Sequence, residues 1–279
     1  MFKLRQGFVK SRLTTEAEAS AEQIPRLLQL RPNAVLVGGQ ALAVWANALN
    51  IVPTGPLDPY VTSDVDFLGS RSVAKELAEK LHVDLLVPSA DDHVQVNSAI
   101  LVLKDKRGSP VLVDFLNEIA GLEAANVRKR ALEVEAFGTV FQVMHPVDCL
   151  ESRICNLHLL PSKQNEIGLA QARLSIKIVH GFIRKVAASG EERHALKLTE
   201  HVGRLARSRP AAQVSGRYDI NILDAIPVDI LPAEFRDKQW PRLVARAEKK
   251  AKPYHNKTFA PSVASPRRIR TRATAAKGR

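Results

Sequence analysis

The sequence holds only two cysteines, Cys149 and Cys155, in 279 residues. That is too few for a disulfide framework. The two lie six residues apart in a segment with helical spacing, so they point to different sides and read as buried thiols, neither a disulfide nor a zinc site. Long apolar runs are also missing. None approaches the ~20 residues that a bilayer-crossing helix needs, and the start, Met1 to Lys10, has no apolar h-region of a leader. No membrane partner is expected, and the default location is cytoplasmic. There is no internal repeat, and none of the eight histidines sits at metal-ligand spacing. Even the charge is missing from most of the chain. The formal net charge is +12, yet residues 236–279 hold 14 Lys/Arg against Asp237 and Glu248, which leaves 27 basic and 27 acidic residues elsewhere. A basic C-terminal segment of this kind attracts a polyanion, nucleic acid first; the plainer alternative is a solubilising tail.

What is present is ordinary for a globular protein: 45% apolar and 25% charged residues, enough chain for one large or two ordinary domains. Thr15 to Glu18 fits a capping box ahead of an amphipathic helix over 21–30, which Pro32 closes. Helical spacing predicts a helix over 72–81, with Val73, Leu77 and Leu81 on one face. A short strand is expected over 83–87. The runs 99–103 and 111–116 are rich in β-branched residues and flank a turn with Gly108 and Pro110, so they read as a hairpin. A further strand is expected over 139–144, and Pro146 sits where a helix starts. Three helices follow. The first buries Val147, Leu150, Ile154 and Leu157. The second, over 166–186, uses Ile167, Ala170, Leu174, Ile178 and Phe182. The third, over 192–206, buries Leu198, Val202 and Leu205. Strands thus mix with helices up to residue 145, and helices dominate beyond it. The expected fold class is α/β (α+β), a small mixed sheet flanked by helices and then a helical domain. The boundaries are 1–145, 146–252 and a basic tail, expected to be disordered, over 253–279.

The chemistry concentrates in residues 34–67. An apolar run, Ala34 to Val37, breaks at Gly38-Gly39, and a helical run from Gln40 to Leu49 follows, with Leu42 and Trp45 as core. A loop with proline and glycine spans Pro53 to Pro59, and an extended segment then carries Asp64 and Asp66. Residues i and i+2 of a strand share a face, so both carboxylates converge while Val65 and Phe67 face a core. Asp114 lies between Val113 and Phe115 in the later strand and costs energy to bury without a partner. Glu133 and Glu135 repeat the spacing without a glycine turn and read as a solvated strand face. Arg153 either reaches toward the same site from the first helix of the second domain or is a surface or ion-paired arginine. His194, Lys197, His201 and Arg204 share a helical face that reads as solvated and basic.

Val-Gly-Gly-Gln-Ala-Leu-Ala-Val-Trp over 37–45, Thr-Ser-Asp-Val-Asp-Phe over 62–67 and a later strand Asp resemble the nucleotidyltransferase superfamily with the polymerase-β-type fold. The nearest branch in pattern is the AbiEii-like toxin nucleotidyltransferases, which His145-Pro-Val-Asp-Cys-Leu-Glu-Ser-Arg-Ile-Cys-Asn-Leu also resembles. The similarity covers roughly residues 30–185 and does not extend to the tail. Two departures stand out. The gap from Gly39 to Asp64 is longer than in compact members, and Lys163, Gln164, Asn165 and Glu166 replace the Lys/Arg and Asp pattern common in the toxin branch.

The resemblance implies a triphosphate held by Gly38, Gly39 and Gln40, with Ser63 and Arg153 as further contacts. It implies two Mg²⁺ ions held by Asp64, Asp66 and Asp114, with Asp114 helping to deprotonate the attacking hydroxyl. The expected activity is metal-dependent transfer of a nucleoside monophosphate from an NTP to a hydroxyl. The acceptor is an RNA 3′ end, a protein side chain or a small molecule, and the basic tail favours RNA, including tRNA. A toxin with an antitoxin protein as partner fits this branch. The alternative is a non-catalytic module that binds nucleotide or nucleic acid through a degenerate form of the same fold.

Overall fold

The structure is a computed structural model that describes residues 2–3, 24–30, 33–52, 65–87, 97–104, 108, 110–136 and 138–255. It is a mixed α/β protein built on one sheet. The strands are β1 (Phe2–Lys3), β2 (Val35–Leu36), β3 (Val65–Leu68), β4 (Asp84–Leu86), β5 (Asn97–Lys104), β6 (Pro110–Leu116), β7 (Leu132–Ala136) and β8 (Thr139–Val143). Their spatial order is β1-β7-β8-β2-β3-β6-β5-β4. The expected hairpin is present as antiparallel β5 and β6. In the middle of the sheet β2 runs parallel to β8 and antiparallel to β3, and β3 runs parallel to β6.

Helices cover this sheet because their apolar stripes need burial. Residues 24–29 are helical (α1), and α2 (Gly38–Ala48) follows β2 directly. Ser70 caps α3 (Arg71–Leu81) by accepting from the Val73 N–H, which satisfies one of the four orphan donors of a helix start. The short α4 (Ala124–Arg130) was not legible in the periodicity; it buries only Val127. Leu27, Leu36, Leu42, Trp45, Val65, Phe67, Val113 and Phe115 form the centre of the core around the sheet. Phe67 and Phe115 stack with centroids 5.6 Å apart, an offset-stacked distance.

A second apolar cluster belongs to the helices beyond residue 145: α5 (Pro146–Leu159), α6 (Glu166–Ala188), α7 (Glu192–Ala206), α8 (Arg209–Tyr218) and α9 (Trp240–Ala251). Val147, Leu150, Ile154 and Leu157 are buried there as their spacing predicts. Ile167 corrects the reading of α6. It is 53% exposed, and the buried residue of that first turn is the adjacent Gly168, which lies close to the Lys163 carbonyl and to Leu157 of α5. Trp45 ties the two clusters together. Its indole N–H donates to the Met144 carbonyl at 2.7 Å, and its ring meets Phe182 of α6 edge-on at 5.8 Å. Both cysteines are buried and unbridged. Among the described residues no helix is long and apolar enough to cross a membrane. The basic segment is helical through Ala251 and ends in a 3-10 turn over Lys252–Tyr254. The expectation of disorder from residue 253 therefore fails at its first residues, and 256–279 lie outside the described residues.

Candidate functional site

The site begins where β2 ends. The Val37 N–H donates to the Asp66 carbonyl at 2.9 Å, so the chain leaving β2 turns over the start of β3. Gly38 makes that turn with φ of +68°, a left-handed conformation that costs an ordinary L-residue about 1–2 kcal/mol. A second reason for glycine is contact. A Cβ on Gly38 would lie 2.0 Å from Asp66 Oδ2, so only a residue without a side chain lets the backbone rest on this carboxylate. Val37 supplies no side-chain cap, and the first turn of α2 has no acidic residue. A helix N-terminus of this kind offers backbone N–H groups and the positive end of a dipole to an anion. Gly39 and Gln40 lie in that turn and are both buried, Gln40 at 6% exposure.

The carboxylates come together through strand register. In the parallel β3–β6 pair Asp66 stands opposite Asp114, about 4.8 Å away along the hydrogen-bonding direction. Their flanking residues Val65, Phe67, Val113 and Phe115 are fully buried on the other face, whereas both aspartates are half-buried. A β-bulge adds a third polar group. Asn97 pairs with Leu116 but Ala99 with the adjacent Phe115, so Ser98 is an extra residue that moves Asn97 onto the Asp114 face. Asn97 Nδ2 donates to Asp114 Oδ1 at 3.2 Å, and Ser98 Oγ pins the bulge by donating to the Gly69 and Phe115 carbonyls.

Arg153 brings positive charge to this end of the sheet from α5. It is 8% exposed, so the reading of a surface arginine is wrong. Its Nη1 donates to Gln171 Oε1 of α6 at 2.9 Å, while its Nε has no hydrogen-bond partner among the described residues. Burial pushes its pKa below the usual arginine value, opposed by the nearby Cys149 and Asp66. A buried cation is stable only beside anions, and Asp66 is one. Two turns nearer the start of α5, His145 caps the helix by accepting from the Val147 N–H at 3.1 Å. Fully buried Asp148 faces Arg130, with Oδ2 accepting from Nε at 3.1 Å. Burial holds the His145 pKa down to about 3 and lifts that of Asp148 to about 6.

The structure thus brings together Gly38, Asp66, Asp114 and Arg153 of the residues singled out from sequence, with Gly39 and Gln40 in the adjoining helical turn. Asp64 and Ser63 lie outside the described residues. Glu133 is exposed on β7 and accepts from Gln142, away from the aspartates. Asn97 and Gln171 are the residues that sequence reading misses. No spacing marks Asn97, because the bulge that turns it exists only against β6. Gln171 lies in the Gln-Ala-Arg segment, whose residues carry no signal of a partner 18 positions earlier.

The donor set suits magnesium, which prefers carboxylate oxygens. Among the described residues no three His, Cys, Asp or Glu side chains stand together as a metal group, and Asp64 is outside them. No family model matches the sequence, and no curated protein does.

Proposed function

We propose that the chain has the nucleotidyltransferase fold of the polymerase-β type and moves a nucleoside monophosphate from an NTP to a hydroxyl acceptor, with RNA the favoured acceptor. One observation carries this reading. The register that sets Asp66 beside Asp114 does so directly under the glycine that opens α2. Carboxylates for cations and a helix start for phosphate are thereby adjacent, which is what a triphosphate–metal complex requires.

The roles follow from the residues. The N-terminus of α2, with Gly38, Gly39 and Gln40, receives the triphosphate. Arg153 balances phosphate charge from a buried position, with Gln171 fixing its guanidinium. Magnesium held by Asp66 and Asp114, with Asp64 completing the set, would screen the phosphates and acidify the attacking hydroxyl. Asp114 takes the proton of that hydroxyl, and Asn97 holds its carboxylate in place. The acceptor oxygen forms its bond to the α-phosphorus as the bond to the β-phosphate oxygen breaks, and pyrophosphate leaves with the electron pair.

The test uses the full chain, Mg²⁺, total RNA and each labelled NTP in turn. Label enters RNA with at least one NTP, and Asp66→Asn lowers the rate by about 10²–10³. No transfer from any NTP, or transfer undiminished in Asp66→Asn, sinks the reading.

A further inference from the structure

The basic C-terminal segment is not all tail. Residues 240–251 form α9, and two glycines let it seat on its neighbours. A Cβ on Gly203 of α7 would lie 2.6 Å from Leu243 Cδ1, and one on Gly216 of α8 would lie 2.7 Å from the Ala251 carbonyl oxygen and from Tyr254 Cβ. Trp240, Leu243, Val244 and Ala247 turn inward onto the helical core. The opposite face carries Arg242, Arg246 and Lys249, at the i, i+4, i+7 spacing of one helix face.

Between this face and the end of α7 lies a cleft of about 590 Å³. It is lined by Arg204, Arg207, Arg246, Lys249, Lys250 and Ser208, with no carboxylate. Two of the cations have structural duties: Lys250 Nζ donates to the Arg207 carbonyl at 2.6 Å, and Arg207 Nε donates to the Gly203 carbonyl at 2.9 Å. Arg204, Arg246 and Lys249 are exposed and within ion-pair distance of no carboxylate among the described residues. In the adjoining groove Glu234 is taken by Lys238 at 3.3 Å and Glu200 adds one further acid. Uncompensated like charges so close together repel one another, and a polyanion relieves that repulsion.

We infer that this cleft, and not only the tail beyond it, docks the phosphodiester backbone of RNA. The cleft's cations on α9, Arg246 to Lys250, spread over about 6 Å of helix axis, and Arg204 and Arg207 of α7 line its other side, so more than one phosphate engages and a strand of phosphates fits better than a free anion. A concave cleft also suits a strand better than a flat bilayer. The inference takes RNA as acceptor from the function proposed above. Its test contains no NTP, so either proposal can fail alone.

The experiment is a binding titration of a fluorescein-labelled RNA hairpin across a salt series. It compares the full chain, Arg204→Gln/Arg246→Gln/Lys249→Gln, a chain ending at residue 255, and that shorter chain with the three substitutions. In both backgrounds the substitutions weaken binding roughly 10–100-fold and reduce the slope of log Kd against log salt by about 3. Inorganic phosphate at matched ionic strength does not displace the RNA. Should the triple variant melt below the wild type, Arg246→Gln/Lys249→Gln repeats the test with a slope loss of about 2. Unchanged affinity and slope in either background, or displacement by phosphate, overturns the inference. So does truncation that abolishes binding by itself.

Discussion

The acidic end of the sheet and the basic cleft of the helices hold their charges in opposite ways. Asp66 and Asp114 are half-buried and fixed by strand register, and the backbone at Gly38 presses on Asp66. Arg204, Arg246 and Lys249 are exposed and fixed only by how α9 lies on α7 and α8. Like charges cost more where water is excluded, since their repulsion is then poorly screened. The acidic end therefore needs a rigid frame and nearby compensation, which Asn97 and buried Arg153 supply. The basic end keeps its charges in water, where holding them apart from acids costs little and leaves them open to a partner. Rigid placement suits chemistry on a small group, and a solvated basic face suits a long anion.

Gly38→Ala attacks the rigid end and carries the largest expected effect. The added Cβ meets Asp66 Oδ2 at 2.0 Å, and the carboxylate must swing away because the backbone above it is pinned by the Val37–Asp66 hydrogen bond. Transfer activity falls to the level of Asp66→Asn, about 10²-fold or more down. Stability falls by only about 1–2 kcal/mol, the cost of a positive φ at alanine. Kinetics and a urea titration of the same sample separate the two effects. Near wild-type transfer in a folded Gly38→Ala would show that Asp66 does not work from the position it occupies here.

Gly216→Ala attacks the basic end. Its Cβ meets the Ala251 carbonyl oxygen at the end of α9 and Tyr254 Cβ in the turn beyond it, both at 2.7 Å, and these cannot rotate away as a carboxylate can. The C-terminal part of α9 lifts, at a cost of roughly 1–3 kcal/mol for overpacking. RNA affinity and its salt slope drop, yet transfer to a small hydroxyl acceptor stays near wild type. If transfer falls as far as RNA binding does, the two ends are not separate devices.

The acidic end was more legible in the sequence than the basic one, for a physical reason. Gly38, Asp66 and Asp114 sit on short segments whose alternation or glycine content reports local backbone geometry, and local geometry decides which way they face. Strand order adds only the pairing. The cleft depends on Gly203 and Gly216, which nothing in the sequence spacing marks as contact points. Their meaning appears only when Leu243 and Ala251 arrive from 40 and 35 residues later. In the same way Arg204 read as one member of a solvated face, because its neighbours Arg246 and Lys249 are distant in the chain. The bulge at Ser98 and the exposed Ile167 escaped for the converse reason, as periodicity cannot tell which turn of an element its partner covers.

The smallest expected effect on transfer and on RNA binding lies at the seam of the two halves, where α5 leaves β8. Burial acts there on two groups of opposite type. The His145 pKa falls from 6.5 to about 3, so the unfolded chain binds the extra proton in that window and stability rises with pH across it. The Asp148 pKa rises from 3.8 to about 6, because burial outweighs the Arg130 contact, in which Oδ1 lies 2.8 Å from Nη2 without hydrogen-bonding geometry. Here the folded chain binds the extra proton, and stability falls as pH rises from 3.8 to about 6. The two slopes oppose each other over their common window, so together they leave wild-type stability almost flat there. Asp148→Asn removes the falling slope and exposes a rise approaching 1.4 kcal/mol per pH unit. His145→Asn, which retains a capping side chain, exposes the matching fall. Urea titrations of the wild type and both variants at several pH values in this window measure the slopes. Parallel profiles for all three proteins would mean that neither group is held in its buried state at the seam.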